Sequence, residues 1–594
     1  MKRNRWYLVF ALFIVASMIL TACGTPSTPT TAPTQPVVTE APTQAAPPTT
    51  VPTEEPTTAA PTKEPTSAPA KNTIIIGTTD KISSLDPADA YSTHDWELIK
   101  NIHNGLLRWR PGEMTLEPDL ATDLGTKSAD GLTYTFTLKD GIKFGDGTAL
   151  DATVFASQLN RLLTIGSGAT CPNAVAASLA VPFVKSITAP DSKTIVFELT
   201  IPIAYFPELL ATGPYMATDP NIFPLDQCVT VPPAPIYGTG PWYISQYTQN
   251  ESMVLDPNPY YTGDLKPQSD EIVYRFYSDA NTMSLAVQNG EIDVAWRILD
   301  TGQIDELKNV SGVTVGAVQG GGIRHLIINH TMAPADDPNV DKAIASAIDR
   351  NAIVDTIYGG AVTPIWSDVP PGFMGQTDAF DTMYASPNID EAKKFLEASG
   401  YSASNPLQLD LWYPPDHYGA NTVPAVQLIA SQLEATGEIK VTLKAQEWST
   451  YVTNVTSGDS YAVSIMGWFF DFPDTSNYLD PFVYNGGQGT NATVAVAGST
   501  TGEPITNTFN ADLTQLVSIL SQADVEQDEA KRIELYKQAQ DLAASTVLTV
   551  PLYYVPEFVV YRPNIHGSSD FATPETLNIG PNIEFNYSLL SKTP

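Results

Sequence analysis

Six histidines are the first candidates for chemistry: His94, His103, His325, His330, His417 and His566. They lie far apart, and no pair has the H-E-x-x-H spacing that would hold a protease zinc. Three cysteines are too few for a disulfide scaffold or for an all-cysteine zinc or iron–sulfur centre. Asp140 to Asp151 has the length of a calcium loop. Its third and fifth positions are Ile142 and Phe144, which offer no ligand oxygen, and aspartate rather than glutamate closes it. Gly320-Gly321-Gly322 is followed by no Lys-Ser/Thr pair, so it is no P-loop and reads as a flexible strand entry or a hinge. There is no G-x-S-x-G elbow. Acidic residues are so frequent that a glycosidase-like pair means nothing without geometry. The chain therefore reads as a non-enzyme with no metal and no cofactor.

Composition narrows the field further. The 594 residues carry a formal charge of −34 and 43% apolar residues. That length suggests three to five domains or subdomains with a large buried core. So acidic a surface repels phosphates, which excludes nucleic acid as a partner.

Lys2, Arg3 and Arg5 precede an apolar run from Leu8 to Leu20. The run is too short for a span of roughly 20 residues but right for a signal h-region. Leu20-Thr21-Ala22-Cys23-Gly24 resembles the bacterial lipobox, in which the cysteine becomes the lipidated first residue. Residues 1–22 are then a signal peptide, and a diacylated Cys23 holds the protein on the membrane. Residues 24–70 contain 12 Pro and 14 Thr and no Phe, Tyr, Trp, Leu or Ile. Such a segment has nothing to bury and stays extended. Residues 23–72 thus read as a lipid-anchored tether. The remaining Cys171 and Cys228 are either a disulfide or two separate buried thiols.

From Thr73 onward helix and strand periods alternate, which indicates a mixed α/β body. Ile74 to Gly77 reads as a buried strand. Leu132, Tyr134, Phe136 and Leu138 alternate with polar residues, Asp140-Gly141 turns the chain, and Ile142 and Phe144 continue the period, which predicts a hairpin. Asp151 is placed to cap a helix bearing Val154, Phe155, Leu159 and Leu162. Ile272 to Phe276, a helix from Asp279 to Gly290, and Ile292 with Val294 form one βαβ unit. Leu407 to Leu411, a helix ended by Gly437, and Ile439 to Leu443 form a second. Two such units suggest two α/β lobes with a ligand cleft between them.

Several segments, read in order, resemble the bacterial solute-binding protein family 5, the peptide-, dipeptide- and nickel-type receptors of ABC importers. They are Leu85-Asp86-Pro87; Tyr134 to Leu138 with Asp140 to Phe144 and Asp146-Gly147-Thr148; Gly238-Thr239-Gly240-Pro241-Trp242; Gly290-Glu291-Ile292-Asp293; Ala343 to Arg350 with Ala352-Ile353-Val354; Pro370-Pro371-Gly372; Gly467 to Asp474; and Pro551-Leu552-Tyr553-Tyr554. The resemblance implies a two-lobed, hinge-linked "Venus flytrap". Lobe I would comprise 73–118, 232–319 and 551–594, with an inserted subdomain at 119–231, and lobe II would be 320–550.

The same resemblance points to site residues. Asp471 falls where peptide-binding members hold the ligand's α-ammonium, with Trp468 as an apolar wall or cation–π face. The alternative is that Asp471 caps a turn into Pro473-Asp474. Phe470 stands where Ala or Gly is common and would narrow the pocket. Tyr91, His94 and Asp95 lie in the cleft-facing loop after the first strand, although His94 and Asp95 also suit a helix cap. Arg324 and His325 would meet a ligand carboxylate or form an interlobe ion pair. Trp366 lines the pocket or the core. The resemblance further implies a monomeric extracytoplasmic receptor, lipid-anchored to the outer face of the cytoplasmic membrane, that hands a peptide to a permease and its ATPase. A nickel chelate, an opine or an oligosaccharide is an alternative cargo, and a sensory module uncoupled from transport is an alternative role.

Overall fold

The computed structural model describes residues 71–166, 171, 176, 179–297, 299–457, 460–485, 503–504, 511–567 and 584–593. The expected signal peptide, Cys23 and the tether to residue 70 lie outside the described residues. No helix among the described residues is long and apolar enough to cross a membrane.

An eleven-stranded sheet organises the fold. Ten of its strands are β1 (Thr73–Thr78), β2 (Trp242–Thr248), β3 (Ser252–Pro257), β4 (Glu271–Phe276), β5 (Val294–Trp296), β6 (Thr314–Ile328), β7 (Leu407–Tyr413), β8 (Ile439–Ala445), β9 (Val463–Trp468) and β10 (Thr549–Tyr561). Their order is β8-β7-β9-β6-β10-β5-β1-β4-β3-β2, and the short strand Thr363–Pro364 pairs with β10 off this path.

Local chemistry explains the crossovers. Helix α2 (Ala280–Asn289) starts where the Asp279 side chain accepts from the Thr282 N–H, and Gly290 ends it at φ 77°, a left-handed conformation that suits glycine. It joins β4 to β5, which both lie parallel to β1 between them. Ile292 falls just outside β5. Helix α3 (Thr422–Glu434) joins the parallel neighbours β7 and β8.

Strands β6 and β10 run antiparallel through the middle of the sheet and belong to both of its halves. The end of β10 adds Val559 and Tyr561 to a core with Ile74, Ile76, Trp242, Tyr274 and Trp296. Its beginning adds Val550 and Leu552 to a second core with Leu326, Ile344, Leu409, Val426 and Ile465. The pairing is broken midway: Val318 faces Glu557, but the next registered pair is Gly322 with Val555. The glycine run therefore forms a bulge in a continuous strand. Gly321 sits at φ +78°, and a Cβ there would lie 2.6 Å from both the Phe470 Cδ1 and the Tyr478 hydroxyl. Its C=O accepts from the Tyr478 hydroxyl at 2.6 Å, and its N–H donates to the Tyr554 hydroxyl at 3.0 Å.

The expected hairpin is corrected by the structure. Strand Thr133–Thr137 pairs with Thr194–Leu199, some sixty residues further on, and with Thr126–Lys127, in a four-stranded antiparallel sheet completed by Val184–Thr188. After the Asp140-Gly141 turn, Lys143 instead bridges Ala149. Phe136, Phe197, Phe206 and Tyr215 pack edge to face in this subdomain's core. Asp151 does cap its helix, accepting from the Val154 N–H at 2.9 Å. Cys171 and Cys228 form a disulfide with Cα atoms 5.4 Å apart.

This subdomain also touches the far half of the fold. Tyr205 stacks on Phe472 with centroids 4.9 Å apart, and the Ala204 N–H donates to the Asp524 carbonyl at 2.8 Å. Beneath them Arg532, on the helix Glu529–Thr546, grips Asp474 through two hydrogen bonds of 2.7 and 3.0 Å, and the Tyr536 hydroxyl donates to the same carboxylate at 2.8 Å. One guanidinium thus neutralises a neighbourhood that also holds Asp480, Asp524 and Glu208. Burial raises the titration of all three.

Candidate ligand site

Strand β9 ends in Gly467-Trp468, a tight turn follows, and helix α4 (Ser476–Val483) begins. Asn477, in the first turn of α4, organises this corner. Its Oδ1 accepts from the Asp471 N–H at 2.8 Å, and its Nδ2 donates to Asp471 Oδ2 at 3.3 Å. Its carbonyl accepts from the Trp468 indole N–H at 2.7 Å. The turn-capping role considered for Asp471 thus belongs to Asn477 and to Asp474, whose Oδ1 accepts from the Ser476 N–H.

Asp471 is brought together with Tyr91 from the opposite half of the fold. The Tyr91 hydroxyl donates to Asp471 Oδ2 at 3.1 Å. Burial pushes the Asp471 carboxyl up to about 7, against the hydrogen bonds from Asn477 and Tyr91 and the charge of Lys100. Lys100 cannot fully neutralise it. Its ammonium is bound to Glu584 at 2.8 Å and lies over the Trp109 ring at 4.4 Å, and burial lowers its own titration. Asp471 is therefore a buried carboxyl that accepts hydrogen bonds from Tyr91 and Asn477 and feels the charge of Lys100.

Tyr91 is held by its neighbours. Trp96 packs edge-on against it at 5.7 Å, and the Trp96 indole donates to the Ala90 carbonyl at 2.8 Å. Trp96 projects from helix α1 (Thr93–Ile102), whose N-cap is Ser92 and not His94 or Asp95. Asp95 instead accepts from the N–H groups of Ser83 and Ser84, at 3.1 and 3.2 Å, and from the Ser83 hydroxyl, which pins the loop after β1. His94 is almost fully buried, edge-on to Tyr274 and Phe276.

Alternation along the strands sorts the remaining candidates. Trp468 and Phe470 point inward, Trp468 against Phe482 and Phe470 against Phe373. They support the corner rather than wall a pocket, so Phe470 fills core space instead of narrowing an opening. Phe469 has the opposite parity and lies under Arg324, 5.9 Å from the guanidinium. Arg324 also stacks on Tyr418 at 4.0 Å and donates to its neighbour's carbonyl, Ile323 O, at 2.9 Å. His325, one residue on, faces the other side. It is fully buried, bonded through Nδ1 to Asp368 at 3.1 Å, and is thereby removed as a ligand contact. Trp366 lies beneath Arg350 at 4.9 Å in the second core, apart from Asp471.

Sequence reasoning missed Asn477, Tyr418, Phe469 and Lys100. Only Phe469 had a local signal, since it lies in the same Gly467–Asp474 string as Trp468 and Asp471. A separate cavity of about 100 Å³, lined by Lys100, His103, Trp109, Tyr261 and Glu584 among others, includes none of the expected site residues.

Residues 115–490 match the bacterial extracellular solute-binding proteins, family 5. The oligopeptide-binding protein OppA of Bacillus subtilis is 27% identical over 84% of this chain and 90% of its own. Haemophilus influenzae OppA, solved in complex with the peptide RPPGFSPFR, superposes with a TM-score of 0.70 at 21% identity, covering 88% of this chain and 99% of that one. The binding protein AgaA of A. tumefaciens R10, in complex with agropinic acid, gives 0.70 at 23% over 88% and 99%. These likenesses establish the two-lobed α/β binding-protein fold.

Proposed function

Because the chain belongs to the bacterial extracellular solute-binding proteins, family 5, we propose that it is the extracytoplasmic receptor of an ABC importer and captures a short peptide between its lobes. Lobe I comprises 73–118, 232–319 and 551–594, the insertion is 119–231, and lobe II is 320–550, hinged where β6 and β10 cross the sheet. The division of β10 between two cores supports two lobes, with Leu552 and Tyr553 still packing in the lobe II core and Val559 and Tyr561 in that of lobe I. Cys23 carries the lipid that anchors the tether to the outer face of the cytoplasmic membrane, and a permease with its ATPase takes the cargo.

The observation that carries the peptide reading is the Tyr91–Asp471 corner. A buried carboxylate whose proton leaves only near pH 7 is a strong receptor for an α-ammonium. The charge-assisted hydrogen bond is worth about 1.5–3 kcal/mol net. Arg324, over two aromatic faces, receives the peptide carboxylate. The experiment is mass spectrometry of ligand co-purified with the native protein, followed by calorimetric titration with di- and tripeptides. Peptide cargo and loss of affinity in Asp471→Ala are expected; unchanged affinity in that variant removes the assignment. The agropinic acid complex of AgaA favours one second reading, an amino-acid-derived opine in the same cleft.

A further inference from the structure

We propose that Glu557 selects ligands with a second cationic group, so that the cargo is a short peptide bearing a lysine or arginine side chain. This rests on the peptide reading above and narrows it.

Glu557 lies on β10 opposite Val318, at the edge of the glycine bulge between the two halves of the sheet. Tyr553, four residues earlier on the same strand, is registered with Arg324. Alternate residues share a face, so Glu557 and Arg324 project from the same side, about 13 Å apart along the strand. The site expected to hold the peptide backbone therefore has a guanidinium and a carboxylate on one surface. Glu557 is half-buried, whereas Val559, Val560 and Tyr561 beyond it are fully enclosed. Its side chain thus keeps partial exposure.

Among the described residues Glu557 makes no ion pair and accepts no hydrogen bond. Both nearby arginines are held elsewhere. Arg297, at the unusual φ of 68°, pairs with Glu97 at 3.2 Å and Asp80 at 3.6 Å. Arg324 is held over Tyr418 and bonded to Ile323 O. Their charges oppose the burial that raises the Glu557 carboxyl, and Asp80 adds to that rise. A half-buried carboxylate with no ion pair among the described residues is a favourable place for an arriving cation. Arg324 and Asp471 are the expected contacts for the two peptide termini, which leaves a side chain as the natural partner of Glu557. The formal charge of −34 also draws cationic solutes toward the protein.

The test compares near-isosteric peptide pairs, Ala-Lys with Ala-Met and Lys-Ala with Met-Ala, by calorimetry on the wild-type protein and Glu557→Gln. The wild type should favour the lysine member of at least one pair by about tenfold or more. Glu557→Gln should abolish that preference and leave the methionine peptides within about twofold. No preference in the wild type, or equal weakening of both members in the variant, overturns the proposal and leaves the peptide reading standing. If the wild type binds none of these peptides, or any other di- or tripeptide, both readings fall together. Matching thermal unfolding of the two proteins confirms that the variant is folded.

Discussion

The titration of Asp471 makes a quantitative prediction about ligand affinity. In the ligand-free protein burial holds this carboxyl at about 7, whereas an ammonium partner needs it ionised. Below pH 7 the proton must be expelled on binding, and each unit costs about 1.4 kcal/mol, or tenfold in Kd. Between pH 7.0 and 5.5 the Kd for a peptide should therefore rise about fifteenfold. The peptide amine titrates near 7.7–8.0 and its carboxylate near 3.3–3.7, so neither contributes strongly in this window. Stability runs the other way. The folded-state value lies above the ordinary value of 3.8, so this contribution is fully present below pH 3.8 and is lost as pH rises through about 7. The difference amounts to about 4 kcal/mol. Asp471→Asn should flatten both dependences: weak, nearly pH-independent binding, and a ligand-free protein that gains on the wild type as pH rises from 4 to 8. Calorimetry at pH 5.5, 6.0, 6.5 and 7.0 and urea titrations across the wider range supply the readouts. A wild-type Kd constant between pH 5.5 and 7.0, or an Asn variant that keeps the wild-type slope, would refute the reasoning.

Asn477→Ala removes the acceptor of the Asp471 N–H and one donor to its carboxylate, so the midpoint of the pH–affinity profile should move upward, read by the same calorimetric series. The Trp468 indole bond, made to a main-chain carbonyl, should survive, which unchanged Trp fluorescence checks. Replacing Cys171 and Cys228 by Ser opens a 57-residue loop and should cost about 4 kcal/mol by loop-closure entropy, measured as a lower urea midpoint under oxidising conditions. Arg532→Met leaves Asp474 buried with no cation beside it. It should cost about 3–5 kcal/mol and expose the Tyr205–Phe472 contact to faster hydrogen exchange before the rest of the chain unfolds.

What the sequence revealed was local or carried by family pattern. Asp279 and Gly290 bracket a helix because capping acts within one turn, and Asp471 was singled out because its neighbours form a recognisable string. The partner of strand Thr133–Thr137 was missed because an Asp-Gly turn advertises a hairpin, while the actual partner at Thr194–Leu199 is chosen by aromatic packing across sixty intervening residues. Asn477 was silent for a related reason. An asparagine in a first helical turn is ordinary until the fold lays Asp471 and Trp468 on either side of it. His325 looked equivalent to Arg324 in a linear reading. Only the pleat of β6, with Asp368 waiting on its far side, separates the two.

On the proposed reading, the Tyr91–Asp471 hydrogen bond would also link ligand charge to lobe movement. It joins residues 380 positions apart, one from each half of the fold, and it buries the carboxylate. Moving the halves apart would hydrate Asp471 and return its titration toward 3.8. An ionised, ligand-free site therefore favours separation, whereas a protonated one does not. A ligand ammonium at Asp471 would stabilise the ionised carboxylate in the closed arrangement and restore the preference for contact, which meets the requirement that a ligand shift the equilibrium only through its differential interaction with the two states. The ligand-free protein should accordingly be more extended at pH 8 than at pH 5.5, and peptide at pH 8 should contract it. Small-angle scattering measures both changes. A radius of gyration that is the same at both pH values, or one that peptide leaves unaltered, would break the link between this carboxylate and closure, because the burial that makes Asp471 reluctant to ionise is the same burial that opening relieves.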